Sequence, residues 1–333
     1  MRNLRCAASR FPQPSVCEGP ALWQKLKATM QRERKVVEQR ADQDFGRVTK
    51  QDPVGANRKK NRCLVEFRDV TLHFGEKTIF DDLNLTIRSG DCLVLLGPSG
   101  IGKSTLLRLL LETLRPERGL IFFDGMELTH LSREHLNEMR TRVGMVFQSS
   151  ALVSSLSVSE NLALPLRELT GKREEEIASI IDEKLHFVGL EKTKDLMPSQ
   201  LSGGMKKRIA VARALVLNPD LVLFDEPTTG LDPVAAYHIS ELIVHLNQAA
   251  SVTILVVTHD LHSAFRFATR IAILDQGRIV EEGLPEAIRR SQNPIVARFL
   301  TPGSEDCSSG KPNVRVASGI DALLDAGARR SLA

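Results

Sequence analysis

The stretch that most constrains the fold is "GPSGIGKS", Gly97 to Ser104, which directly follows the apolar run "CLVLL". Its spacing matches G-x-x-x-x-G-K-[ST], a loop whose glycines allow backbone amides to curl around a phosphate group. A continuous apolar run predicts a buried strand, and "TLLRLLLETL" after the loop predicts a largely buried helix. Strand, loop and helix in this order predict a nucleotide-binding loop in a parallel α/β sheet, and they disfavour an ordinary glycine-rich turn.

Two side chains of this loop have a chemical task of their own. The Lys103 ammonium can reach the β- and γ-phosphate oxygens, and the Ser104 hydroxyl can bind Mg²⁺. ATP and Mg²⁺ are therefore the predicted ligands. The predicted phosphate cradle consists of the residues Gly97, Pro98, Ser99, Gly100, Ile101, Gly102, Lys103, Ser104 and Thr105.

The segment "LVLFDEP" places two carboxylates, Asp225 and Glu226, at the end of a second apolar run. Carboxylates at the end of a buried strand are costly unless a cation lies near them, although acidic residues also end strands as helix caps. Beside a phosphate-binding loop, Asp225 suits the outer coordination sphere of Mg²⁺. Glu226 suits the polarisation of an attacking water, which makes it the candidate general base.

A second anion site is predicted about a hundred residues after the loop, in "QLSGGMKKRIAVARAL". Ser202, Gly203 and Gly204 stand directly ahead of a helical pattern. The first amides of a helix have no partner inside it and the helix dipole is positive there, so this start can bind an anion. Ser202 is also a favourable N-cap residue. The chain thus carries two predicted phosphate sites that are far apart in sequence.

Charge is distributed unevenly along the 333 residues. Residues 1–62 hold fifteen Lys or Arg against six Asp or Glu, so the basic excess lies there and does not mark the folded part as a nucleic-acid binder. Residues 1–17 are Arg- and Ser-rich without an acid, which favours an organelle transit peptide over a disordered basic tail. Five cysteines without a CxxC pair indicate a reducing compartment, and no apolar run is long enough to span a membrane.

The folded part is predicted for 63–300, between the basic segment 1–62 and a flexible tail over 301–333. "LVEFRDVTLHF" and "LNLTIRSG" alternate apolar and polar residues, which predicts strands of an antiparallel subdomain near 64–90. Further apolar strands alternate with helices and predict a parallel sheet. A mostly polar helical stretch near 128–215 is predicted as an insertion into that sheet.

The phosphate loop, "LSGGM" and "LFDEPTTGLDP", in this order, resemble the ATPase subunit of an ABC transporter over about 64–300. The resemblance implies a P-loop NTPase fold with a RecA-like parallel core, an antiparallel β subdomain and an inserted helical subdomain. It also implies a head-to-tail homodimer with ATP between the subunits. Ser202, Gly203 and Gly204 of one subunit would then bind the γ-phosphate held by Lys103 of the other, which would explain two distant phosphate sites.

The same resemblance implies roles for four further residues. Gln148 in "MVFQSS" would touch Mg²⁺ and link the core to the helical subdomain, and His259 in "VVTHD" would contact the γ-phosphate. Asp232 in "TTGLDP" would cross the dimer interface. Phe74 stands where an aromatic residue, more commonly Tyr, stacks on adenine. The implied catalytic set is Glu226 with His259 and Gln148.

Within the ABC family the chain is similar to the ATPases of Mla/Mce-type lipid transporters. The similarity lies in Met205, which replaces the usual Gln of the signature, and in "FQSSALVSSLSVSENLALPL". That branch implies a separate membrane permease, a Mce-domain partner and a phospholipid cargo. With the transit-like N-terminus, the chain most resembles the version in the chloroplast trigalactosyldiacylglycerol complex, on the stromal face of the inner envelope membrane. The cytoplasmic face of a bacterial inner membrane is the alternative.

Two other interpretations stay open on the sequence. ABC transporters for amino acids or metal ions have similar cassettes. A soluble ABC ATPase that acts on DNA or ribosomes is disfavoured, because the DNA-repair type carries a long coiled-coil insertion and the ribosome type two cassettes.

Overall fold

The computed structural model describes residues 62–249 and 252–300. The predicted transit peptide and the predicted tail over 301–333 lie outside these residues. Within them the chain forms one antiparallel sheet and one largely parallel sheet, with helices packed around them. This arrangement confirms the predicted α/β fold.

The antiparallel sheet has four strands in the order β2–β1–β4–β5. They are β1 (Cys63–Phe74), β2 (Lys77–Arg88), β4 (Arg118–Phe123) and β5 (Met126–Glu127). Side chains of β1 and β2 alternate between buried and exposed over much of their length, as expected for a sheet with one solvated face. The sequence predicted this sheet near 64–90 alone. The later strand β4 joins it because it pairs with β1, for example through Val65 and Phe123.

The second sheet has six strands in the order β10–β9–β3–β8–β7–β6. They are β3 (Cys92–Leu96), β6 (Val143–Val146), β7 (Leu221–Asp225), β8 (Thr253–Thr258), β9 (Arg270–Asp275) and β10 (Arg278–Gly283). All neighbouring strands are parallel except β9 and β10. Because β3, β8 and β7 lie side by side, their carboxyl ends meet at one edge, the place where open α/β sheets bind ligands.

Strand β3 shows why its sequence is continuously apolar. Leu93 and Leu95 pack in the core shared with the antiparallel sheet, whereas Val94 and Leu96 pack in the core on the helical face. All four side chains are fully buried. Burial of a side chain of this size stabilises a fold by roughly 1.5–3 kcal/mol, so the strand on which the phosphate loop begins is firmly anchored.

The helices of the described residues surround these sheets. They are α1 (Lys103–Leu110), α2 (Arg133–Thr141), α3 (Val158–Leu169), α4 (Glu174–Phe187), α5 (Gly203–Leu215), α6 (Pro233–Ala249), α7 (Leu261–Phe267), α8 (Pro285–Arg289) and α9 (Pro294–Leu300), with short 3₁₀ turns at Leu128–His130, Glu191–Thr193 and Pro198–Gln200. In the part of the chain that the structure describes, no helix combines the length and apolar character needed to cross a bilayer.

The helical insertion predicted near 128–215 begins too early, because β6 lies inside that interval and forms an edge of the parallel sheet. This strand has only four residues, one of them a glycine, so it gives little periodic signal. Gly144 is needed for close packing: a Cβ there would lie 2.5 Å from the carbonyl oxygen of Ala214 on α5. The helices between β6 and β7 are α3, α4 and α5.

Candidate functional site

The phosphate loop joins β3 to α1, and its shape requires glycine at two positions. Gly102 has a φ of 116°, a conformation that glycine adopts without strain. A Cβ at Gly102 would lie 2.7 Å from Cγ2 of Ile79, and a Cβ at Gly97 would lie 2.7 Å from the carbonyl oxygen of Leu274. The loop therefore turns tightly against its neighbours, as the glycine spacing predicted.

Lys103 opens α1 with a side chain that is only 6% exposed. Its Nζ donates to the carbonyl oxygens of Gly97 at 2.7 Å and Pro98 at 3.0 Å, and it lies 3.8 Å from Oε1 of Glu226. Burial lowers the pKa of Lys103, while the nearby carboxylates of Glu226 and Asp225 act in the opposite direction. The loop backbone thus holds this ammonium at the base of the loop.

Ser104 and Asp225 form the oxygen-rich part of the site. The Ser104 hydroxyl donates to Oδ1 of Asp225 at 2.9 Å. Burial raises the pKa of Asp225, and the hydrogen bond from Ser104 opposes that rise. Hydroxyl and carboxylate oxygens are ligands that Mg²⁺ prefers, and Mg²⁺ usually completes its shell with water and phosphate oxygens. The residues present therefore fit Mg²⁺ bound together with a nucleotide; among the described residues no cluster of three or more His, Cys, Asp or Glu forms a separate metal site.

Glu226 directly follows β7, with a φ of 46°, and its carboxylate is bound by three donors. The hydroxyls of Thr258 and Thr229 donate to Oε2 at 2.8 and 3.0 Å, and Nδ1 of His259 lies 2.8 Å from Oε1. Burial raises the pKa of Glu226, but the hydrogen bonds to its carboxylate outweigh burial and hold the pKa below its ordinary value. This carboxylate is consequently ionised at neutral pH and fixed in orientation.

Lys103, Ser104 and Glu226 line one cavity of about 410 Å³, and Asp225 contacts the lining residue Ser104 without lining the cavity itself. The cavity is lined by Phe74, Lys77, Ile79, Ser99, Gly100, Gly102, Lys103, Ser104, Thr105, Gln148, Glu226 and His259. The phosphate loop, Glu226 and His259 come from the adjacent strands β3, β7 and β8, and the 46% exposed ring of Phe74 comes from the antiparallel sheet. The structure therefore gathers most of the predicted nucleotide-binding residues around one space.

A second group of predicted residues lies apart from the cavity lining: Ser202, Gly203, Gly204 and Asp232, here called the signature surface. Gly204 packs against α6, since a Cβ there would lie 2.9 Å from Cβ of Ala235. Ser202 caps α5 by accepting from the backbone N–H of Met205 at 3.2 Å, and Asp232 caps α6 in the same way. Both side chains are exposed. The signature surface thus consists of two neighbouring helix starts, neither of which lines the cavity of its own chain.

The sequence did not reveal several contributors to the site. Lys77 and Ile79 line the cavity from β2. Thr258 and Thr229 orient Glu226, and both stand next to motif residues in "VVTHD" and "EPTTG", so their proximity was a usable signal. Lys207 is buried on α5 beside the Gln148 segment, but as one basic residue of "KKR" it had no distinguishing pattern.

Comparison with known proteins agrees with this geometry. Residues 80–229 match the family model described as ABC transporter. A Haemophilus influenzae protein named intermembrane phospholipid transport system ATP-binding protein MlaF is 44% identical over 240 residues, which is 72% of this chain and 91% of that protein. The chain belongs to the ABC transporter family.

Two further relatives bear on this ABC cassette. The Mycobacterium bovis protein named probable ribonucleotide transport ATP-binding protein mkl is 42% identical over 266 residues, covering 79% of this chain and 74% of that protein. A solved dimeric ATP-binding cassette, bound to ADP and Pi after hydrolysis, is 34% identical with a TM-score of 0.61 and covers 67% of this chain and 99% of that one. As an ABC cassette, the chain is an ATPase.

Proposed function

We propose that this ABC ATPase powers the transfer of phospholipid between membranes, together with a separate permease and a Mce-domain protein. The observation that carries the proposal is the 44% identity to a phospholipid transport ATP-binding protein over 91% of that protein's length. The cavity supports the enzymatic part, because it joins a phosphate loop, a Mg²⁺-compatible oxygen pair and an ionised carboxylate. The lipid itself does not need to touch this chain.

Each group of the cavity has a proposed role in hydrolysis. Lys103 and the loop amides bind the triphosphate, and Ser104, Asp225 and Gln148 hold Mg²⁺, which would neutralise phosphate charge when bound. Glu226 accepts the proton of the attacking water, since its carboxylate is ionised and fixed in orientation. His259 binds the γ-phosphate.

The signature surface is proposed to act on ATP held by the partner subunit in a head-to-tail homodimer. Two observations support this: the surface does not line its own chain's cavity, and the solved cassette with ADP and Pi is dimeric. The first turn of α5 offers unpaired backbone N–H groups and the positive end of a helix dipole to a phosphate. Asp232, at the neighbouring helix start, lies at the same interface.

A second candidate cargo is a ribonucleotide, which the name of the 42% identical mycobacterial protein favours. The decisive experiment purifies the full chain with its native membrane partners and measures ATP-dependent movement of fluorescent phospholipid between liposomes. Lipid transfer that requires ATP, and a Mce-domain protein in the purified complex, are expected. A complex that accumulates ribonucleotide in vesicles but leaves lipid in place would overturn the lipid proposal and preserve the ATPase.

The plastid location is proposed on the composition of residues 1–17 alone, which lie outside the described residues, and the two relatives compared are bacterial proteins. A fluorescent protein fused behind residues 1–62 should enter plastids. The matched control exchanges the three arginines of residues 1–17 for glutamate and should stay outside. If the unaltered fusion remains in the cytosol, the plastid proposal is rejected in favour of the alternative, the cytoplasmic face of a bacterial inner membrane.

A further inference from the structure

Helix α5, which begins at the signature surface, also holds the backbone of the Gln148 segment. Lys207 is 2% exposed, and its Nζ donates to the carbonyl oxygens of Phe147 at 3.2 Å and Gln148 at 2.7 Å. The helix therefore holds Gln148 by its main chain, while Gln148 itself lines the nucleotide cavity.

A second cation of α5 binds the next part of the same segment. Arg213 donates to the carbonyl oxygens of Ser150 at 3.1 Å and Ala151 at 2.7 Å. Ser150 and Ala151 have φ values of 65° and 48°, a left-handed conformation that non-glycine residues adopt only when their surroundings impose it. Four of the five carbonyl groups from Phe147 to Ala151 thus accept from two cations on one helix.

The charge of Lys207 is unusual for a residue that only fills space. Burial lowers its pKa, and the carboxylates of Asp225 and Glu226 oppose that effect from nearby. Its ammonium donates to two main-chain oxygens, and a buried ammonium is costly compared with an apolar side chain of similar volume. A methionine would fill the same space without that cost, which indicates that the directed hydrogen bonds matter.

The position of Lys207 along α5 links two parts of the dimer. Lys207 lies three residues after Gly204, within one helical turn, so the α5 part of the signature surface and the ammonium are carried by one helix. In the head-to-tail dimer of the proposed function, the signature surface contacts the partner's ATP. Gln148 faces the ATP bound in its own cavity.

We propose that Lys207 is a positioning residue that fixes Gln148 relative to the signature surface. Through it, closure on the partner's ATP sets the position of Gln148 at the chain's own ATP. The attachment of Lys207 to the backbone of Phe147 and Gln148 rests on the described contacts alone. Its consequence, the coupling between the two ATP sites, also rests on the head-to-tail dimer of the proposed function.

The attachment is tested in the nucleotide-free full chain by hydrogen exchange, with Lys207→Met against the matched variant Lys206→Met from the same helix turn. In Lys207→Met, amides of residues 147–151 should exchange about fivefold faster or more, because opening of this segment becomes easier. Amides of β3 and α1 should not change, and Lys206→Met should match the unaltered chain. Unchanged exchange at residues 147–151 would overturn the attachment.

The consequence is tested by steady-state ATPase measurements on the same proteins. Lys207→Met should lower kcat about tenfold, the scale expected when a positioning contact is lost. Its KM for ATP should stay within about twofold, because Lys103 and the loop are intact, and the Mg²⁺ concentration for half-maximal rate should rise. Unchanged kcat and Mg²⁺ requirement would overturn the inference.

Two outcomes separate this inference from simpler explanations. A general fall in melting temperature with loss of ATP binding would show a purely structural role and overturn the proposal. If Lys207→Met fails to fold, the same measurements are made on Lys207→Gln, which removes the charge and shortens the side chain by one atom. An unaltered chain that hydrolyses no ATP would count against the proposed function, and the exchange measurement would then decide the inference.

Discussion

The cavity and the signature surface are the two proposed phosphate-binding regions of the chain, and they are built in opposite ways. In the cavity, Lys103 and Glu226 are 6% and 9% exposed, and hydrogen bonds from the same chain fix both. On the signature surface, Ser202 and Asp232 are exposed and serve their own helix starts as caps. The first region is assembled from fixed groups within a single chain, whereas the second presents exposed helix starts, as expected if its proposed phosphate comes with another molecule.

The difference follows from how each region uses burial. Charges that are removed from water interact strongly. Fixed donors and acceptors inside the cavity therefore interact more strongly with a charged group than they would in water. A surface that must open and close against a partner cannot bury its groups permanently. Its proposed contacts with phosphate are therefore limited to helix-start amides and short side chains.

The largest effect is expected when the proposed proton acceptor of the cavity is removed and both proposed phosphate sites are left intact. Glu226→Gln should lower kcat by about 10²-fold or more, in line with general-base contributions. ATP binding should persist and closed dimers should accumulate on sizing columns. The control is Glu286→Gln, an exposed carboxylate at the start of α8. Near-normal turnover of the Glu226 variant would remove the residue from its proposed role.

The next prediction tests whether the hydrogen-bond donors that fix Glu226 matter for catalysis in the cavity. Thr258→Val deletes a hydroxyl that donates to Glu226 at 2.8 Å while keeping the shape of a fully buried side chain. Hydrogen bonds to charged groups contribute about 1.5–3 kcal/mol, so kcat should fall about tenfold.

The pH profile of the Thr258 variant gives a second measurement. The pKa of Glu226 lies below its ordinary value, so the stability that this carboxylate provides is present above the ordinary pKa and is lost as the pH falls through the depressed one. Without the Thr258 donor the pKa rises, and the acid limb of the rate profile should move to higher pH. Thr258→Ser keeps the donor and should keep the profile; identical profiles for Val and Ser would contradict this role.

A smaller effect is expected at the partly apolar segment "ALVSSL" that follows Gln148, which is a candidate docking site for the permease. Val153 is 38% exposed, whereas Leu152 is partly buried against the helical-face core. Val153→Glu should therefore leave the melting temperature unchanged and reduce stimulation by the permease about fivefold, as for one good interface contact. Leu152→Glu should instead lower the melting temperature, because it brings a carboxylate against that core. Normal stimulation of the Val153 variant would place the docking site elsewhere.

The smallest effect concerns the signature surface itself. In the proposed dimer, each ATP site combines Lys103 of one subunit with Ser202 of the other. Lys103→Ala or Ser202→Arg in both subunits therefore damages both sites, whereas a dimer with one subunit of each variant keeps one undamaged site. Crosslinking should then trap one nucleotide per mixed dimer, about half of the unaltered level. If each site were complete within one chain, no mixed dimer would trap nucleotide. That result would contradict the proposal that the signature surface acts on the partner's nucleotide.

The sequence predicted the parts of the site that depend on local spacing. Gly102 and Lys103 follow from a motif with fixed intervals, and Ser202 follows from the chemistry of helix starts. The position of Asp225 and Glu226 at a strand end was visible because β7 is continuously apolar. The roles of these residues in catalysis remain predictions.

The sequence by itself determined the phosphate loop, the buried strands and the cap of α5, because each depends on residues within one turn or one strand. Only the tertiary structure decided which distant groups meet. The order β3–β8–β7 places Thr258 and His259 against Glu226, and the packing of α5 on β6 places Lys207 under Gln148. Local patterns encode local geometry, whereas contacts between separate elements depend on strand order and helix packing, which no short interval of sequence records.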